Sequence, residues 1–142
     1  MENLKVKIQE AVNLYKSGSL IKCEKFTKNL IKMNPEVVFL HNLLGMVLNA
    51  QGKTEEAVKS YNKAIQVDPN FAIIYNNLAV IYYNRRSMGR GFQSNIEKAE
   101  ELFKKSLKIN PQLPEPNTNL GNLYSFIGKN NESINFNKCQ TL

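Results

Sequence analysis

The chain has 142 residues, 42% of them hydrophobic, and carries 19 Lys and Arg against 12 Asp and Glu, a net charge of +7. With five Pro, seven Gly and two Cys, this composition suits one folded domain or a short array of repeats and excludes a collagenous, low-complexity or disulfide-framed chain. No apolar run approaches the ~18 residues of a membrane span, and the start lacks the basic segment and apolar stretch of a secretory signal, so a cytoplasmic protein without a membrane partner is expected.

Apolar residues at helical spacing predict helices over roughly 3–17, 20–33, 37–51, 54–67, 71–86, 94–109, 114–128 and 131–141. In the first pair, Ala11 and Leu14 precede Gly18, and Cys23 takes a small apolar position in the second helix. In the second pair, His41, Leu44, Gly45 and Leu48 fall at i, i+3, i+4, i+7, and Ala57, Tyr61, Ala64 and Ile65 define the facing stripe. Gln51-Gly52-Lys53-Thr54 lies between them, with Gly52 stopping one helix and Thr54 expected to cap the next. Gly45 and Ala57 let the two helices approach closely, while Leu44 and Tyr61 fill the space beside them. The third pair carries a long turn, Asn84-Arg85-Arg86-Ser87-Met88-Gly89-Arg90-Gly91-Phe92-Gln93-Ser94, after which Ser94 and Glu97 read as a capping box. The fourth pair stops at Leu142, with Ile134 and Phe136 in an incomplete last helix.

Internal spacing ties these pairs together. Met33-Asn34-Pro35, Val67-Asp68-Pro69 and Ile109-Asn110-Pro111 are one phrase at intervals of 34 and 42. Ala11, Gly45, Ala79 and Gly121 follow at 34, 34 and 42, and Cys23, Ala57, Ala99 and Ser133 at 34, 42 and 34. The period is therefore 34 residues with one insertion of eight, near 85–94. Repeats cover approximately 4–37, 38–71, 72–113 and 114–142, the last incomplete. The array reads as a single domain, all-α, made of helix-turn-helix units.

On these residues the sequence resembles the tetratricopeptide repeat family, whose pattern is W-x2-L-G-x2-Y, A-x3-F, P. Repeat two reads His41-x2-Leu44-Gly45-x2-Leu48, Ala57-x3-Tyr61, Pro69; repeat three Tyr75-x2-Leu78-Ala79-x2-Tyr82, Ala99-x3-Phe103, Pro111; repeat four Asn117-x2-Leu120-Gly121-x2-Tyr124, then Ser133. Repeat one departs at Lys7 and Glu10, as a water-facing cap does. The resemblance implies an α-solenoid wound as a right-handed superhelix, with the first helix of each pair lining a concave groove. The implied groove residues are Asn42, Met46 and Asn49; Asn76, Asn77, Val80, Tyr83 and Asn84; and Thr118, Asn119, Asn122, Ser125 and Phe126. Asn77 and Asn119 occupy matching places and resemble the asparagine ladder of O-linked N-acetylglucosamine transferases, because an amide pairs with peptide backbone whatever the side chains. The family's clamp for chaperone-tail carboxylates is absent, its places being held by Ile8, Val12, Leu43 and Asn77.

The expected function is a non-enzymatic protein-interaction scaffold that holds a peptide or partner subunit in the groove. The alternative is the substrate-recruiting arm of a larger enzyme such as a glycosyltransferase or sulfotransferase. No catalytic constellation converges: His41 sits at a packing position, Cys23 replaces a small Ala, Cys139 has no nearby His, and Gly89-Arg90-Gly91 lacks the features of a phosphate loop. Glu55-Glu56 and Glu100-Glu101 read as residues at the starts of second helices, favoured by the dipole. No metal or cofactor is expected. The lysines recur as Lys22, Lys25, Lys28, Lys32; Lys59, Lys63; and Lys104, Lys105, Lys108, the pattern of solvated helix faces, so nucleic acid is not expected as a partner. All three Arg, with Phe92, lie in the inserted turn, where Arg85, Arg86, Arg90 and Phe92 would contact an anionic partner. Charge reversal there is expected to alter binding and leave the melting temperature unchanged. The incomplete last repeat reads either as a piece of a longer protein or as an end face covered by another copy, and self-association through the C-terminal repeat is the expectation.

Overall fold

The computed structural model describes residues 3–87 and 91–128, and these contain helices and turns with no strand among them. In order they form α1 (Leu4–Lys16), α2 (Leu20–Met33), α3 (Val38–Ala50), α4 (Thr54–Val67), α5 (Ala72–Asn84), a 3-10 turn (Arg85–Ser87), α6 (Phe92–Ile109) and α7 (Pro114–Gly128). The helix read over 131–141, the residues Arg90 and Cys139, and the C-terminal self-association surface lie outside the described residues.

The turn chemistry follows the sequence. Gly18 and Gly52 both adopt φ +78°, the left-handed conformation that closes a helix. At the first turn Gly18 N donates to Tyr15 O (3.0 Å) and Ser19 N to Leu14 O (3.0 Å); at the second, Gly52 N donates to Asn49 O (3.0 Å) and Lys53 N to Leu48 O (2.9 Å). Each pair of bonds satisfies carbonyls that the helix end would otherwise orphan. Between hairpins, the residue before Pro forms the turn. Asp68 Oδ1 accepts from Asn70 N (2.9 Å), and Asn110 Oδ1 accepts from Gln112 N (3.1 Å).

Three local expectations are corrected. Thr54 is the first helical residue of α4 and Lys53 holds the cap position, with no side-chain cap bond. Ser94 lies inside α6, which starts at Phe92 after Gly91, so no capping box forms. The Phe92 ring packs on Phe126, with centroids 6.0 Å apart, and this contact carries the helix two residues further back than local signals imply. For the same reason Glu100 is in the third turn of α6, not at its start, whereas Glu55 and Glu56 do occupy the first turn of α4.

The chain divides into two compact units, residues 1–74 and 75–142. In the first, α1, α2, α3 and α4 pack in sequence. Ala11, Cys23, Leu30, Leu40, Leu43 and Val47 form one core cluster, with Ile8, Val12, Tyr15 and Phe26 against it. Cys23 is fully buried, its thiol donating to Ala11 O at 3.2 Å, so the small-residue pair of repeat one is joined by a hydrogen bond. In repeat two a Cβ on Gly45 would land on the Tyr61 ring, which is 2% exposed. His41 is 4% exposed and its Nε2–H donates to Pro35 O (2.7 Å), which fixes the preceding turn. In the second unit α6 packs on α7. Ile96, Ala99, Leu102 and Phe103 of α6 are buried, as are Leu120, Leu123 and Tyr124 of α7.

Candidate functional site

The sequence-derived surface residues of the second unit come from α5 and α7. On α7, Asn119, Asn122 and Phe126 are at i, i+3 and i+7, so one face carries two amides and a ring. Asn119 Nδ2 donates to Asn76 Oδ1 at 3.0 Å, tying α7 to α5. Asn76 is only 4% exposed, so its amide is an internal tie and not an open one. Asn77 and Val80 are half-buried, and Asn84, Asn122 and Ser125 are exposed. Thr118 is exposed, but its hydroxyl donates to Pro114 O one turn back (3.1 Å).

At the far end of α5 the side chains form an aromatic cluster around one cation. Phe126 stands edge-on to Tyr83, with centroids 6.4 Å apart at 85°, and tilted against Phe92. The Arg86 guanidinium carbon lies 3.9 Å from the Tyr83 ring centre and 4.7 Å from that of Phe126. Arg86 Nη1 donates to Tyr83 O (2.8 Å), and its buried Nε has no hydrogen-bond partner. Arg85 lies 6.0 Å over the Tyr82 ring, and its carbonyl accepts from Asn95 Nδ2 at 3.0 Å. Of the arginines in the insertion, Arg85 and Arg86 therefore lie against rings of their own unit. Arg86 folds back because a residue three positions after Tyr83 sits one turn above that ring, and Phe126 closes the other side.

A second polar link was not legible in the sequence. Glu100 Oε1 accepts from Lys104 Nζ (2.6 Å) and from the Tyr124 hydroxyl (2.9 Å). Burial first, then the bond to Glu100, pushes the Tyr124 phenol up to about 12. The partners are 24 residues apart and no local spacing announces them.

In the first unit the implied residues lie on α3. Asn42 is 4% exposed, with Nδ2 facing Met46 Sδ at 3.6 Å, while Met46 and Asn49 are half-buried. Glu24 on α2 is a hub: it accepts from Lys28, from Gln51 Nε2 (2.8 Å) and from Lys53 Nζ (2.8 Å). Hydrogen bonds from Lys28, Lys53 and Gln51 hold its carboxyl down to about 2. Burial pushes the Cys23 thiol up, away from the reactive thiolate. Among the described residues no three His, Cys, Asp or Glu side chains gather as a metal-binding group.

A family model described as TPR repeat matches residues 45–85. The uncharacterized protein ycf37 of Pyropia yezoensis is 33% identical over 82 residues, covering 58% of this chain and 42% of that protein. The chain thus spans less than half the length of the curated relatives it first matches. A thermophilic TPR protein of Thermus thermophilus superposes with a TM-score of 0.79 over 92% of this chain and 69% of that one, at 18% identity. The first TPR of Spaghetti, solved bound to an HSP90 peptide, gives a TM-score of 0.72 over 88% and 93%, at 13% identity. At these identities the likeness shows the fold, an all-α helical-repeat solenoid.

Proposed function

Because the chain is a tetratricopeptide-repeat protein, we propose that it is a protein-interaction scaffold that holds an extended peptide, or such a segment of a partner subunit, on the face shared by α5 and α7. The observation that carries this reading is the α7 row of Asn119, Asn122 and Phe126, held in register by the Asn119–Asn76 bond. The exposed Asn122 amide can pair with a backbone of any sequence, and the half-buried Phe126 ring one turn further on can meet an apolar side chain. Support also comes from the Spaghetti repeat, a protein of the same fold solved with a peptide. The face offers amides and rings, groups suited to holding a peptide.

The test is peptide-library selection on the whole chain, followed by affinity measurement on variants. Asn122→Ala and Phe126→Leu are each expected to weaken selected peptides about tenfold, a typical loss for one anchoring contact. Selected peptides that bind both variants as tightly as the unaltered chain would remove this face as the site.

A further inference from the structure

The second helices of the repeats differ in charge. On α4, Lys59 and Lys63 are balanced by Glu55 and Glu56; on α6, Lys98, Lys104, Lys105 and Lys108 face Glu97, Glu100 and Glu101. On α2, Lys22, Lys25, Lys28 and Lys32 meet Glu24 alone, and Glu24 is already engaged by Lys28, Gln51 and Lys53. Lys22, Lys25 and Lys32 are exposed and have no acidic partner among the described residues. At 100° per residue, Ile21, Lys25, Lys28 and Lys32 form one stripe opposite the buried Cys23, Thr27 and Leu30. Lys22, Asn29 and Met33 flank it.

This face is not a plain solvated one. Ile21 is 79% exposed and Met33 75%, the most exposed large apolar side chains among the described residues. Two hollows open beside the lysines and share Lys22. One, of about 350 Å³, lies between α1 and α2 and is lined by Glu10, Leu14, Lys22, Lys25, Phe26 and Asn29. The other, of about 500 Å³, is lined by Gly18, Ser19, Leu20, Ile21, Lys22 and Gln51.

We propose that the outer face of α2 is a docking surface for an acidic, amphipathic helical segment of a partner protein, its apolar side chains seated in the two hollows and its carboxylates against Lys22, Lys25 and Lys32. The charge selects the sign of the partner. Lys25 and Lys32 are seven residues apart, about 10 Å along the axis, a distance that acidic residues two turns apart on a facing helix reproduce. Leu14 and Phe26 are half-buried in a shallow depression beside Lys22 and Lys25, which places an apolar seat next to the cations. The surface belongs to the first unit and is independent of the α5–α7 face.

The experiment uses the whole chain, isotopically labelled, with a ~15-residue amphipathic peptide of Glu, Ala and Leu as probe. Its scrambled isomer, phosphatidylglycerol vesicles and single-stranded RNA form the other arms. Amide shifts are expected to move at Leu14 and across Ile21–Asn29. Lys22→Glu/Lys25→Glu/Lys32→Glu should weaken the peptide about tenfold or more, and Lys59→Glu/Lys63→Glu should leave it unchanged. Equal binding of the scrambled isomer, equal loss in the α4 variant, shifts confined to other helices, or tighter binding of vesicles or RNA through the same lysines each overturns the proposal. If the triple variant failed to fold, the shift map on the unaltered chain decides alone.

Discussion

Gly45 and Gly52 stand seven positions apart and are glycine for different physical reasons. At Gly45 the constraint is space, because a Cβ would overlap Cδ1, Cε1 and Cζ of a Tyr61 ring that is 2% exposed and has nowhere to swing. At Gly52 nothing lies within 4 Å, and the constraint is the backbone at φ +78°. Gly45→Ala should therefore lose about 1–3 kcal/mol through overpacking, outweighing alanine's better helix propensity. Gly52→Ala should lose about 1 kcal/mol through left-handed strain. Urea melts of the two in a Tyr61→Leu background separate the causes: the first loss shrinks there and the second does not. Glu24 is the residue with a pH signature. Its carboxyl is lowered in the folded chain, so its contribution is present above the unfolded value of about 4.3 and is lost as the pH falls from there through about 2. Lys28 and Lys53 are 46% and 41% exposed, so screening reduces the effect to about 1 kcal/mol. Acid unfolding of Glu24→Gln should be flatter over that window, and an unchanged acid limb would remove the hub from the account of stability.

At the scale of elements, helix ends that rest on local chemistry and those that rest on packing behave differently. The turns after α1 and α3 are closed by glycine and by bonds within six residues. The turn after α5 is held instead by Arg86, whose guanidinium lies close to both the Tyr83 and Phe126 rings, and by Asn95 bonded to the Arg85 carbonyl. Arg86→Ala should thus lower the melting temperature, by a loss of about 1 kcal/mol, where the sequence pattern implied none. Arg86→Lys should not restore it, because a strongly hydrated ammonium lacks the planar fork that meets a ring and the Tyr83 carbonyl together. Thermal denaturation followed by circular dichroism gives the answer, and an unaltered midpoint for Arg86→Ala would mean that the stack contributes nothing. Ser94 teaches the same lesson: a sound capping pattern lost to the Phe92–Phe126 contact, which moved the start of α6.

At the scale of the whole molecule, a repeat chain distributes stability along its length, since each hairpin packs mainly on its neighbours. The two compact units make this measurable. In native-state hydrogen exchange, Gly45→Ala is expected to reduce protection across α1–α4 while α6 and α7 keep most of theirs. Uniform loss over all the described helices would show one cooperative body instead.

The sequence by itself determined the hairpins. The 34-residue period, the insertion of eight, and the positions of all seven described helices follow from it to within two residues, because helical hydrogen bonds and glycine turns close over a few positions. It also marked which small residues meet large ones, as with Gly45 and Tyr61, since the pattern recurs from unit to unit. Tertiary structure alone decided the direction of individual polar side chains. Asn76 and Asn77 are neighbours in sequence, yet a 100° step makes one an internal tie to Asn119 and leaves the other half-buried. The stacking of Arg86, the Glu100–Tyr124 bond and the Glu24 hub join residues as many as 40 positions apart, and no local period encodes which of two helix faces a distant partner will reach.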